Sequence, residues 1–198
     1  MSPAFTSQQA VFFDLGYTLI NFKGDYRRIT NESYRALAGS LARSGYHVDS
    51  DTFAEQFTAV LSEYYQSRDE DLIERPVELY LTRVLKSLGQ PEPPPEVTSS
   101  ALAEMYRTTE SHWNIAPGVS IVLEQLKQDG YRMGLISNAA NAENVNRLID
   151  RFDLRWFFEV ILISAVEKIR KPDSRIYNRA LTRMDLPPAS AVMVGDTL

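Results

Sequence analysis

Four short apolar runs, each closing on a small polar or acidic residue, constrain this chain more than any other feature. Val11-Phe12-Phe13 runs into Asp14, and Tyr131 to Ile136 into Ser137-Asn138. Val160 to Ile163 leads into Ser164, and Ala191 to Gly195 into Asp196. Runs of this length and content read as buried strands. The last three are separated by helical patterns at βαβ spacing, so the sheet is expected to be parallel. All four polar ends then fall along one edge, where open α/β sheets hold their ligands. Asp14 is the most telling, because Gly16 follows it in a turn and an unpaired buried carboxylate costs several kcal/mol. Such a residue implies a partner, a metal or a chemical task.

The intervening segments carry helical stripes. Ala116-Pro117-Gly118 opens one helix, whose apolar side is Val119, Val122, Leu123 and Leu126 and which ends at Asp129-Gly130. A second follows Ser137, with Val145, Leu148, Ile149 and Phe152 on one face. A third runs from about Asp173 to Met184, before Pro187-Pro188. Residues about 22–113 differ: their period is helical throughout, and no strand is expected there. Ile29, Tyr34, Leu37 and Leu41 form one stripe; Phe53, Phe57, Leu61 and Tyr64 another; Val77, Tyr80, Leu81 and Val84 a third. A last helix is expected from Glu96 to Trp113, after the breaker Pro91-Glu92-Pro93-Pro94-Pro95. The fold class is therefore α/β. Residues 1–21 and 114–198 form a Rossmann-like, three-layer parallel-sheet core, interrupted by an all-helical insert with hinges near Asn21 to Gly24 and Asn114 to Gly118.

Composition narrows the function classes. A net charge of −5 gives no footprint for nucleic acid. No apolar run approaches the roughly 18–20 residues of a membrane span, and residues 1–6 lack the pattern of a secretory signal. Zero cysteines exclude disulfides, thiolate metal sites and a cysteine nucleophile, which makes a cytoplasmic location the default. Two histidines, His47 and His112, stand in no ligand spacing. The oligomeric state is left open.

In this order, the motifs resemble those of the haloacid dehalogenase superfamily of hydrolases, most of whose members are magnesium-dependent phosphatases. Phe12-Phe13-Asp14-Leu15-Gly16-Tyr17-Thr18 occupies the place of the family's first motif, a strand followed by Asp-x-Asp-Gly-(Thr/Val). Leu135-Ile136-Ser137-Asn138 matches the second, Lys171-Pro172-Asp173 the third, and Val194-Gly195-Asp196 the fourth. The resemblance implies that Asp14 is a nucleophile that takes a phosphoryl group from a small phosphorylated metabolite. It implies a Mg2+ cofactor on Asp14, the Gly16 carbonyl and Asp196. Thr18, Ser137, Asn138 and Lys171 are expected to bind the phosphoryl oxygens, with Lys171 also neutralising Asp14. The insert corresponds to the family's helical cap, where selectivity resides.

Taken alone, several of these residues have plainer readings. Ser137-Asn138 suits a helix cap, and Lys171 an exposed loop lysine. The aromatic group Tyr64, Tyr65, Tyr80 and Trp113 reads as insert core, and Arg68 with Asp69 to Asp71 as a solvated face. Two departures from the family pattern stand out. Gly16 replaces the aspartate that serves as general acid and base, a role worth roughly 10²–10⁴-fold, and Tyr17 replaces the next glycine. Asp25 is close to it only in sequence. The chain also stops two residues after Asp196, where the family continues with an acidic residue, a strand and a helix, so a fragment is expected. Two alternatives follow: a 2-haloacid dehalogenase using Asp14, or a weak or inactive binding member.

Overall fold

The computed structural model describes residues 9–196. In chain order its elements are β1 (Ala10–Phe13), β2 (Ile20–Phe22), α1 (Tyr26–Arg43), α2 (Ser50–Asp71), α3 (Val77–Ser87), α4 (Pro95–Glu110) and β3 (Trp113–Ile115). There follow α5 (Val119–Gln128), β4 (Arg132–Ser137), α6 (Ala142–Arg151), β5 (Val160–Ile163), α7 (Ser164–Glu167), α8 (Ser174–Arg183) and β6 (Ala191–Val194). The chain divides into two compact units, one of residues up to Asn21 and from Asn114 onward, the other Phe22–Trp113.

The first unit is built on a four-stranded sheet in the order β5-β4-β1-β6. All three pairings are parallel, with Phe13 opposite Leu135 and Val194, and Ser137 opposite Ile163. A strand buried on both faces needs apolar side chains at every position, and Ala10-Val11-Phe12-Phe13 supplies them; all four are buried. One face carries Ala10, Phe12, Ile136 and Leu162 against Ile176, Ala180 and Leu181 of α8. At Gly134 any side chain would collide, since a Cβ there would lie 2.6 Å from the Phe12 ring and 2.9 Å from Val160. The parallel sheet fixes the direction of all four strands, so Ser164, Ser137, Asp14 and Asp196 emerge in that order along one edge. On the other face of β6, Val192 and Val194 are 60% and 41% exposed.

The second unit is helical, with α1 packed on α2 and α4, and α2 on α3. Its core is the set that the helical period picks out: Ile29, Leu37, Leu41, Phe53, Phe57, Leu81 and Leu85 are fully buried. Asp25 caps α1 by accepting from the Arg28 N–H at 3.0 Å, and Asp49 caps α2 by accepting from Thr52 at 2.9 Å. Tyr64 and Tyr80 are buried with ring centroids 4.8 Å apart, and the Tyr64 hydroxyl donates to the buried Glu74 carboxylate at 2.6 Å. Arg68 lies over the Tyr65 ring, 4.8 Å from its centroid. One expectation needs correcting. The last helix ends at Glu110, and Trp113 belongs to β3, which pairs with β2 in a separate two-stranded sheet. Trp113 packs edge-on against Phe22 at 5.3 Å.

Candidate active site

β1 delivers Asp14 to the polar edge, and the Asp14 N–H donates to the Val194 carbonyl at 2.9 Å, fixing it to β6. The carboxylate's Oδ1 accepts from the Leu15 N–H at 2.7 Å and from the Lys171 ammonium at 2.8 Å. The loop beyond is closed on itself. Leu19 and Ile20 donate to the Leu15 carbonyl at 2.9 and 3.0 Å, and Tyr17 donates to the Ile20 carbonyl at 2.7 Å. Tyr17 takes a left-handed conformation, φ +57°, and its side chain is exposed. That geometry costs a non-glycine residue about 1 kcal/mol. Thr18 holds a buried hydroxyl with no hydrogen-bond partner among the described residues.

Lys171 comes from the connection between α7 and α8, and its side chain and that of Asp14 are only 12% and 20% exposed. Burial pulls the Lys171 pKa below the ordinary lysine value. The Asp14 carboxylate opposes this, as does the charge of Asp196, while Arg170 adds to the lowering. Tyr177, one turn into α8, has its phenol pKa raised by burial and then by the negative charge of Asp14. The exposed-loop reading of Lys171 is thereby replaced by a largely covered, paired lysine.

Ser137 is the last residue of β4 and is buried. Neither it nor Asn138 caps the following helix, because α6 starts at Ala142 and Asn141 is its cap, accepting from Asn144 at 2.8 Å. The Asn138 amide instead grips the Lys171 backbone: Nδ2 donates to its carbonyl at 3.0 Å, and Oδ1 accepts from its N–H at 2.8 Å. Next along, Ala139 donates to the Ser164 hydroxyl at 2.8 Å, and its carbonyl accepts from Ala165 at 3.1 Å. The strand-terminal pattern flagged Ser164 as polar, but its service as a strut depends on a contact 25 residues away. Asp25 is occupied as a helix cap, and the His112 ring meets the Lys23 carbonyl at 3.0 Å.

Asp196 follows β6 and is exposed. With Asp14 and the Gly16 carbonyl it would give a cation hard oxygen donors only, which is the chemistry magnesium selects. Among the described residues no cluster of three or more His, Asp or Glu side chains is placed to hold a metal. A magnesium ion here would take two carboxylates, one carbonyl and water, and that donor set fits its habit of retaining several waters.

The family model described as haloacid dehalogenase-like hydrolase matches residues 48–198. A glyceraldehyde 3-phosphate phosphatase of Pyrococcus abyssi is 26% identical over 96% of this chain and 74% of its own length. A ribulose-1,5-bisphosphate 5-phosphatase of Halopiger xanaduensis is 28% identical over 96% of this chain and 77% of its own. Among solved structures, a phosphatase of the same superfamily from Thermococcus onnurineus superposes with a TM-score of 0.62, at 21% identity, covering 96% of this chain and 78% of that one. No helix among the described residues is long and apolar enough to cross a membrane.

Proposed function

Since this chain belongs to the haloacid dehalogenase-like hydrolases, we propose that it hydrolyses the phosphoric monoester of a small metabolite, with Asp14 as covalent nucleophile. The observation that carries the reading is the Asp14–Lys171 pair, held at 2.8 Å and largely buried at the carboxyl edge of a parallel sheet. Relatives named for glyceraldehyde 3-phosphate and ribulose bisphosphate point to a short sugar or triose phosphate.

The roles follow from the hydrogen bonds. Oδ1 of Asp14 is occupied by Leu15 and Lys171, which leaves Oδ2 to attack phosphorus. The bond to the ester oxygen breaks, the alcohol leaves, and an aspartyl-phosphate remains for water to cleave, so one hard displacement becomes two easier ones. Lys171 and the Ser137 and Thr18 hydroxyls stabilise the equatorial oxygens, where charge gathers in the transition state. Asp14, the Gly16 carbonyl and Asp196 would hold magnesium, which when bound offsets repulsion between the carboxylate and the phosphate. No carboxylate stands at Gly16 to protonate the leaving oxygen. Residues 22–113 act as the cap that carries selectivity.

The test is product release. With magnesium, purified protein should liberate phosphate from p-nitrophenyl phosphate and from triose or pentose phosphates, and a chelator should abolish this. Halide release from a 2-haloacid without phosphate release would make the protein a dehalogenase. Release of neither would make it a binding member.

A further inference from the structure

We propose that Asn138 is a positioning residue that sets Lys171 against Asp14, and that it does not touch substrate. The proposal rests on the reading of Asp14 and Lys171 given above. Lys171 lies between the end of α7 at Glu167 and the start of α8 at Ser174, so neither a helix nor a strand fixes its backbone. Its side chain is a flexible four-carbon stem, and the ammonium is located only as well as the Cα that carries it. Asn138 supplies the missing restraint from 33 residues away: its amide bonds both the N–H and the carbonyl of Lys171, at 2.8 and 3.0 Å. One hydrogen bond would leave the residue free to swivel about it; two in opposite senses, to one residue, imitate a rung of β-ladder.

The anchor is itself held. Ser137 is the last residue of β4, and Ala139 is tied to Ser164 and Ala165 at the end of β5. Asn138 therefore ties the Lys171 backbone to the end of the strand that also carries Ser137. Misplacing a charge-stabilising group by about 1 Å costs on the order of 10²-fold in rate.

A double-mutant cycle tests this. Asn138→Ala, Lys171→Met and the double variant are compared with the parent in p-nitrophenyl phosphate hydrolysis with magnesium, and in affinity for inorganic phosphate by calorimetry. Circular dichroism melts confirm folding, and Asn138→Ser replaces Asn138→Ala if the latter melts early. With Lys171 present, Asn138→Ala should lower kcat about 10–100-fold and move KM less than about threefold. With Lys171→Met, the same change should cost less than about threefold in hydrolysis or, where none is measurable, in phosphate affinity. An equal loss in both backgrounds overturns the proposal, because Asn138 then acts without Lys171. Failure of the underlying reading looks different: Lys171→Met alone would leave hydrolysis unchanged.

Discussion

Two carboxylates in the same α/β unit meet their cations in opposite ways. Glu167, at the end of α7, has a side chain only 5% exposed, and both its oxygens are taken, Oε2 by Arg179 and Oε1 by Arg183, each at 2.8 Å. Arg179 also donates to the Glu167 carbonyl at 2.7 Å. The two arginines are nearly half exposed, so their charge is shared with water. At Asp14 the pattern reverses. Among the described residues a single cation, 12% exposed, meets one oxygen of a carboxylate that stays 20% open, and burial pulls that cation's pKa down. Burial and pairing alone therefore do not mark an active site. On the proposed reading, what sets the Asp14 pair apart is its place at the carboxyl edge of the parallel sheet, where open α/β sheets hold their ligands.

The sharpest way to break this contrast is to exchange the effects of the two pairs. Lys171→Met should lower p-nitrophenyl phosphate turnover by about 10²–10³-fold, the range for removing one preorganised donor to developing charge, with the fold retained by circular dichroism. A loss below about tenfold would put Lys171 on the structural side with Glu167.

A middle-sized effect concerns the proton missing at Gly16. An aryl ester leaves as a stabilised phenolate, whereas a sugar phosphate leaves as an alkoxide that needs protonation. The parent protein should therefore cleave p-nitrophenyl phosphate much faster than alkyl esters. Gly16→Asp combined with Tyr17→Gly should raise the alkyl rate by roughly 10–10³-fold and the aryl rate far less. The second substitution is justified by the left-handed backbone of Tyr17, which glycine adopts without strain. Vigorous alkyl turnover by the parent would mean that another group already supplies the proton.

The smallest effect belongs to Glu167. Glu167→Gln removes the charge that both arginines meet. Because those arginines reach solvent, the loss of stability should be about 1–3 kcal/mol, below the range for breaking a fully buried pair. It should show as a lower denaturation midpoint, with turnover unchanged within about twofold. A tenfold fall in turnover at unchanged stability would erase the distinction between the two pairs.

How far the sequence carried this account depends on the range of each interaction. The four sheet strands were legible because each is a continuous apolar run with a polar end, a local signal. The helices of residues 22–113 were legible for the same reason, since Ile29, Leu37 and Leu41 lie on one stripe. β2 and β3 were not, because three residues are too few to establish a period, and Trp113 also suited the helical pattern before it. Asn138 was read as a possible cap or ligand because local sequence cannot reveal a hydrogen bond formed 33 residues away. Gly134 gave no hint that Phe12 and Val160 close over it.

The central claim, that Asp14 is the nucleophile, is tested most directly by trapping its product. Turnover of p-nitrophenyl phosphate carrying radiolabelled phosphorus, stopped in acid and followed by peptide mapping, should place the label on the peptide that contains Asp14. Hydroxylamine should release it, as expected of an acyl phosphate, and folded Asp14→Asn should show neither label nor turnover. Label on another residue, or sustained hydrolysis by Asp14→Asn, would contradict the account.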